Sequence, residues 1–276
     1  MDLRVTKLRN EFDGLHYLIS TSDDKTLFLR IWKPQKTPKK EAILVFHGIT
    51  AYSGPYEILA EPLTQKGYAV YGLDLRGHGL SDGIRGDYPS KERLVKDLCE
   101  TITYIKQKAK HVILLGHSLG VLSSLIATNH CLEDINGLIL LSAARTFRPG
   151  VYPKISILTK LRILISSMFF PSKPVITYYR EGMLGIDDPL FNFKYTFRFM
   201  KIFRAEDLKL PERLHFPIFV GIGEDDELFT IEAGRELFNE IPSDEKEFFI
   251  IPGAKHAYFP ERSLDRLIKW LDEKFE

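Results

Sequence analysis

Between a short apolar run, Val112 to Leu115, and the helix-spaced apolar residues Leu122, Leu125 and Ile126 stand five residues, Gly116-His117-Ser118-Leu119-Gly120. They leave the chain few folds to choose from. A strand that turns into a helix within so few residues forces the middle position into strained backbone. Side chains two positions away would strike the neighbouring strand or helix, which is why both are glycine. The turn also sets Ser118 near a helix N-terminus, where amide donors face developing negative charge. G-x-S-x-G occurs by chance elsewhere; between a buried strand and a helix it marks Ser118 as a candidate nucleophile.

The rest of the chain supplies the setting. Leu15–Ser20 and Thr26–Trp32 read as a hairpin around the turn Thr21–Lys25. Ala42–Phe46 is a continuous apolar run, as suits a strand buried on both faces. Strand and helix then alternate. Tyr56, Leu59, Ala60 and Leu63 repeat at helical spacing and stop before Gly67; Tyr68–Leu73 is the next strand. Leu94, Leu98, Ile102 and Ile105 mark a helix face, and Leu138–Leu141, Pro217–Gly221 and Glu247–Ile251 are further strands. Leu264, Leu267, Ile268 and Leu271 share a face of the last helix. This order predicts an α/β fold, a mostly parallel central sheet flanked by helices. Right-handed crossovers then place the site at the carboxyl ends of the strands.

One segment breaks the alternation. Arg145–Pro211 lies between two expected strands and is far too long for a simple connection. It is expected to be an inserted, mainly helical cap (lid) of residues 145–211, with residues 1–144 and 212–276 forming the core. It holds 12 Lys and Arg against 5 Asp and Glu, although the whole chain carries a net charge of only +1. It also holds 12 of the aromatic residues, among them Phe191, Phe193, Tyr195, Phe197, Phe199 and Phe203.

The near-zero net charge gives no global field for nucleic acid. The N-terminal residues lack the apolar core of a secretory signal, and the most apolar stretch, Ile155–Phe170, is interrupted by Lys160 and Arg162. Cys99 and Cys131 are too few and too far apart in sequence for a disulfide framework or metal cluster, so free thiols in a reducing compartment are expected. These points together predict a soluble, cytoplasmic protein. Only three Gln and five Asn stand among many Lys, Glu and Ile, a thermophile-like composition.

A nucleophilic serine needs a base, an acid to orient it, and donors for an oxyanion. His256, in Gly253-Ala254-Lys255-His256-Ala257, follows the expected strand ending at Ile251 and comes last in the order Ser…Asp…His. The acid belongs after the preceding strand, in Gly223-Glu224-Asp225-Asp226-Glu227-Leu228. Asp226 is the first choice there and Asp225 the alternative. The loop after Ala42–Phe46 begins His47-Gly48-Ile49-Thr50, so the backbone N–H groups of Ile49 and Leu119 are the expected oxyanion donors. His47, and His78 in Arg76-Gly77-His78-Gly79, sit where they would shape loops rather than act as a base. Acid–base chemistry and backbone donors suffice, so no metal and no organic cofactor is implied.

With these residues in place the chain resembles the α/β-hydrolase superfamily, and within it the monoacylglycerol lipase / lysophospholipase branch, of the serine aminopeptidase S33 type. The segments that carry the likeness are FHGITAYSGPYE (46–57), YGLDLRGHGLSDG (71–83), GHSLG (116–120), GEDDEL (223–228) and GAKHAYF (253–259). The combination HG-x-x-x-x-SG-x-Y and D-x-RGHG-x-S is more specific than G-x-S-x-G alone. The resemblance implies the α/β-hydrolase fold with a cap. It places the nucleophile on Ser118, the acid on Asp226, the histidine on His256 and the oxyanion amides on Ile49 and Leu119. One departure stands out: many relatives have a small residue and a second glycine after HG, where this chain has Ile49-Thr50-Ala51.

The implied activity is two-step acyl transfer on a lipid ester, a monoacylglycerol first, with lysophospholipase and general carboxylesterase as alternatives. An aminopeptidase, an acyltransferase and a non-catalytic binder of the same fold rank below these. A peptidase of this kind needs cap acids for the substrate amine, and this segment has only Glu181, Asp187, Asp188, Glu206 and Asp207. The aromatic residues of the segment are expected either to line an acyl tunnel or to form the cap's own core. Its basic residues, including Lys154, Lys160, Arg162 and Lys173, suggest transient contact with an anionic membrane surface. The oligomeric state is left open.

Overall fold

The computed structural model describes residues 3–151, 156–180, 182–204 and 210–275. Helix α1 (Leu3–Asn10) precedes the hairpin β1 (His16–Ser20) and β2 (Thr26–Trp32). There follow β3 (Glu41–Phe46), α2 (Glu57–Thr64), β4 (Ala69–Leu73), α3 (Lys91–Lys106), β5 (His111–His117), α4 (Leu119–His130) and β6 (Gly137–Leu141). After β6 the chain leaves the sheet and forms α5 (Ile157–Phe169), β7 (Ile176–Thr177), β8 (Lys194–Tyr195) and α6 (Phe197–Ile202). It returns with β9 (Ile218–Gly223), α7 (Ile231–Glu240), β10 (Lys246–Ile251) and α8 (Asp265–Phe275).

Eight strands make one sheet in the order β1-β2-β4-β3-β5-β6-β9-β10. The first two are antiparallel to their neighbours; every pairing from β4 to β10 is parallel. Strand side chains alternate between faces, and the two cores follow that alternation. On β3, Ala42, Leu44 and Phe46 join one core, which Leu94 and Leu98 of α3, Leu125 of α4 and Leu237 of α7 cover. Ile43 and Val45 join the other, covered by Leu59 and Leu63 of α2 and by Leu267 and Leu271 of α8. Burial on both faces explains the unbroken apolar runs of the central strands. The loops after β3, β4, β5, β9 and β10 all emerge at the same, carboxyl, edge.

Helices α1 and α7 were not marked by the apolar spacing considered above. The signal for α7 is a cap: the Thr230 hydroxyl accepts the Ala233 N–H. Among the described residues no helix is long and apolar enough to cross a membrane.

The expectation of free thiols is corrected. Cys99 and Cys131 form a disulfide, with Cα atoms 5.8 Å apart and a sequence separation of 32. Helices α3 and α4 pack against each other, which brings a mid-helix residue of α3 to the end of α4. Sequence spacing carries no trace of that contact. The bridge removes the support that thiols would lend to a reducing compartment. Disulfides are also found in intracellular proteins of hyperthermophiles, in keeping with the thermophile-like composition.

Candidate active site

Ser118 lies between β5 and α4 with φ 56° and ψ −118°, one of four non-glycine residues at positive φ among those described. Strain of this kind costs on the order of 1–3 kcal/mol and persists only where neighbours enforce it. Here they do. The Ser118 N–H donates to the Leu141 carbonyl at 3.1 Å, continuing the β5–β6 ladder. A Cβ on Gly120 would fall 1.9 Å from the Phe46 carbonyl oxygen, and one on Gly116 2.3 Å from the Gly120 carbonyl oxygen. Both glycines are required by close backbone approach.

The histidine and acid loops meet this turn. His256 Nε2 is 2.9 Å from Ser118 Oγ. Its Nδ1 lies 3.2 and 3.1 Å from the two carboxylate oxygens of Asp226. With Nδ1 donating to the carboxylate, the Nε2 lone pair faces the hydroxyl, as a general base requires. Asp226 is fully buried, and it accepts the Leu228 and Phe229 N–H groups at 2.8 and 3.0 Å. Burial works to raise its carboxyl pKa, but the hydrogen bond and charge of His256, with those two amides, outweigh it and hold the group below the ordinary carboxylate value. Asp225 is exposed instead.

The other members of the acid cluster have a role that sequence reasoning missed. Glu227 accepts the His256 backbone N–H at 2.9 Å, and Glu224 accepts the Gly253 N–H at 3.0 Å. Both carboxylates hold the histidine loop. Gly223 completes the fit, since a Cβ there would lie 2.3 Å from the Ala254 carbonyl oxygen. Arg180 reaches Glu227 at 2.9 Å, and Arg148 donates to the Asp226 and Phe229 carbonyls at 2.9 and 3.0 Å. The acid loop is thus clasped by arginines from the 145–211 segment.

His117 and Tyr56 link the remaining loops. The Gly48 N–H donates to the Tyr56 hydroxyl at 2.6 Å, and that hydroxyl lies 2.8 Å from His117 Nδ1. His117 Nε2 is 2.6 Å from the His256 carbonyl oxygen. A carbonyl can only accept, so Nε2 carries the proton and Nδ1 accepts from Tyr56. Burial, and beside it the His256 ring, pull the His117 imidazole down to about 4, so it stays neutral in this chain of bonds. The signal for Tyr56 was present in HG-x-x-x-x-SG-x-Y, whose last residue it is.

Among the described residues no hydrogen bond joins His47 or His78 to Ser118. The Leu75 N–H donates to His47 Nε2 at 3.1 Å, and His47 Nδ1 lies 2.8 Å from the Gly48 carbonyl. His78 Nδ1 lies 3.2 Å from the Arg76 carbonyl. Burial lowers both pKa values. Asp74, the first residue of the D-x-RGHG-x-S pattern, accepts the Ser53 and Leu80 N–H groups at 2.6 and 2.7 Å, tying together the loops after β3 and β4.

Ile49 and Leu119, the expected oxyanion donors, belong to the loop after β3 and to the start of α4. Leu119 is the first residue of α4, so its N–H has no carbonyl four residues back in the helix. A Cβ on Gly48 would lie 3.5 Å from Ser118 Cβ, which puts the loop before Ile49 against the serine. No acceptor among the described residues takes either N–H. The aromatic residues divide in two. Tyr195, Phe199 and Phe203 are buried in the core beside His78 and Tyr88, so they form packing and not a tunnel wall. Phe147 stacks on Phe229 with centroids 5.0 Å apart, and Phe229 lies edge-on to His256 at 5.4 Å. Among the described residues no group of three His, Cys, Asp or Glu is placed to hold a metal ion.

A strained serine, a histidine and a buried carboxylate are thus hydrogen-bonded in series at the carboxyl edge of this sheet, and the surrounding sequence matches a known family. The pattern described as serine aminopeptidase, S33 spans residues 37–263. The chain belongs to this α/β-hydrolase family. It is 27% identical to the monoglyceride lipase of Rattus norvegicus over 276 aligned residues, covering 94% of this chain and 88% of that one. It is 26% identical to the uncharacterized protein YnbC of Escherichia coli, covering 91% of this chain but only 44% of that one. The crystal structure of the monoacylglycerol lipase of Paleococcus ferrophilus superposes with a TM-score of 0.70 at 25% identity, over 89% of this chain and 99% of that one. Family and relatives indicate an esterase- or lipase-type hydrolase.

Proposed function

We propose that the chain is a serine carboxylic-ester hydrolase acting on lipid esters, monoacylglycerols first, with Ser118, His256 and Asp226 as its triad. The observation that carries this reading is the unbroken series Ser118 Oγ, His256 Nε2, His256 Nδ1 and the Asp226 carboxylate, each step at 2.9 to 3.2 Å. In the first half-reaction Ser118 Oγ attacks the ester carbonyl as His256 Nε2 takes its proton. The Ile49 and Leu119 N–H groups receive the oxyanion, and preorganised amides of this kind are worth about 3–4 kcal/mol each in the transition state. His256 then protonates the departing glycerol oxygen. In the second half it takes a proton from water, which attacks the acyl-enzyme and releases the fatty acid. Asp226 stays ionised throughout and stabilises the imidazolium.

Residues 145–211 serve as the cap in this reading. Helix α5 has one buried residue, Ile163, and its other large apolar side chains face out: Ile157 is 86% exposed and Met168 67%. Leu158, Leu161, Leu164 and Phe169 are exposed as well, with Lys160 and Arg162 between them. An apolar helix face with interspersed cations suits transient contact with an anionic lipid surface, where the substrate resides. Lys173 is exposed too; Lys154 lies outside the described residues.

The low rank of an aminopeptidase is supported by Asp188, which accepts the Tyr52 hydroxyl at 2.9 Å and the Leu190 N–H at 2.8 Å and is thereby engaged. A panel of monoacylglycerols, lysophospholipids, short p-nitrophenyl esters and aminoacyl amides tests the reading. Turnover highest on monoacylglycerols and absent on aminoacyl amides is expected; the reverse order would replace lipase with peptidase.

A further inference from the structure

The 188–198 stretch meets the core where the loop after β3 turns. Three successive carbonyls of that loop are held. Gly48 O receives His47 Nδ1–H at 2.8 Å and the Ala51 N–H at 3.2 Å. Ile49 O receives the Tyr195 hydroxyl. Thr50 O receives the Asn192 N–H at 2.9 Å. A peptide unit is planar, so the Ile49 N–H shares a plane with the Gly48 carbonyl and points the opposite way. With Gly48 O and Ile49 O both fixed, the residue between them cannot rotate, and its N–H direction is set.

Tyr195 is itself immobilised. It is fully buried, its ring stacks on His78 with centroids 5.8 Å apart, and it packs on Phe199 at 4.7 Å. The same hydroxyl proton is shared with the Asn192 carbonyl at 2.7 Å, so Tyr195 bridges the Ile49 and Asn192 carbonyls. The next residues anchor the strand: Thr196 Oγ1 donates to Asp87 at 2.8 Å, and Arg198 pairs with the same carboxylate through two nitrogens.

We propose that Tyr195 is a positioning residue for the reaction: its hydroxyl fixes the Ile49–Thr50 peptide so that the Ile49 N–H is aimed at the oxyanion. This rests on the reading of Ile49 as an oxyanion donor. It gives the segment outside the sheet a part in the chemical step as well as in substrate access. It also suggests how a chain with Ile49-Thr50-Ala51, in place of a small residue and a second glycine, keeps that amide in place: a side chain from the other segment holds the loop.

Tyr195→Phe keeps the ring and removes the donor. On a soluble p-nitrophenyl ester, kcat is expected to fall by about tenfold or more while KM changes by less than about twofold, because the lost contact acts on the transition state. The inhibition constant of an alkyl trifluoromethyl ketone, which adds to the serine and carries the oxyanion, should rise by the same factor as kcat/KM falls. A residue that only supports the fold would lower the melting temperature without this matched pair of changes. Arg198→Lys, which loosens the anchor from its partly exposed end, should shift kcat and ketone affinity together in the same direction and by less, and it decides the matter if Tyr195→Phe does not fold. Wild-type kcat and ketone affinity in the folded variant, or a raised KM with kcat intact, would overturn the inference while leaving the triad standing. A wild-type chain that neither cleaves the ester nor binds the ketone would instead remove the reading on which it rests.

Discussion

The loops around Ser118 and helix α5 obey opposite rules. Around the serine nearly every polar group is claimed: Glu224 and Glu227 hold the histidine loop, Leu228 and Phe229 amides hold Asp226, and Tyr56 and His117 join Gly48 to His256. On α5 one residue is buried and the large apolar side chains stand in the open. Chemistry on an ester needs atoms fixed to a fraction of an ångström. Meeting a lipid surface needs only apolar area and a few cations. The first demand leaves short, rigid motifs in a sequence; the second leaves little more than composition.

The largest effects belong to the rigid side. Asp226→Asn is expected to lower kcat by about 10³- to 10⁴-fold, since the amide can no longer hold the reactive tautomer of His256. Asp225→Asn, at an exposed position, should leave the rate within about twofold. Equal losses in the two variants would erase the distinction drawn from their burial. Steady-state kinetics on a soluble ester separates them.

The disulfide offers an intermediate effect of another sort. Replacing Cys99 and Cys131 by alanine frees a loop of 32 residues, which chain entropy makes worth about 3–4 kcal/mol. Denaturant unfolding should show that loss, with kcat unchanged. A fall in kcat at full occupancy of the folded state would mean that α3 and α4 transmit strain to the nucleophile turn.

The smallest effect on chemistry is expected on α5. Changing Leu161, Leu164 and Met168 together to glutamine should weaken partition onto anionic vesicles by about tenfold or more, with soluble-ester turnover unaltered. Vesicle binding equal to the wild type would leave α5 without a lipid-facing role.

Much of the rigid side was legible in the residues themselves. The apolar runs Ala42–Phe46 and Val112–Leu115 fall in β3 and β5, and Gly116 and Gly120 are glycine for the reason the turn demands. Ser118 joins His256 and, through it, Asp226, although more than a hundred residues separate it from both, because strand-end loops share one edge of a parallel sheet. What could not be read depends on contacts between distant parts. Glu227 looks like a solvated turn residue until His256 folds over it. Cys99 and Cys131 look like free thiols until α3 lies along α4. Tyr195 looks like one aromatic among twelve in its segment, and only packing distinguishes it, through its bond to Ile49.

The claim on which the rest depends is that Ser118 is the nucleophile, and Ser118→Ala tests it most directly. Assayed on a p-nitrophenyl ester at matched folded concentration, the variant is predicted to lose about four orders of magnitude or more in kcat. Hydrolysis by Ser118→Ala at the wild-type rate would contradict the account.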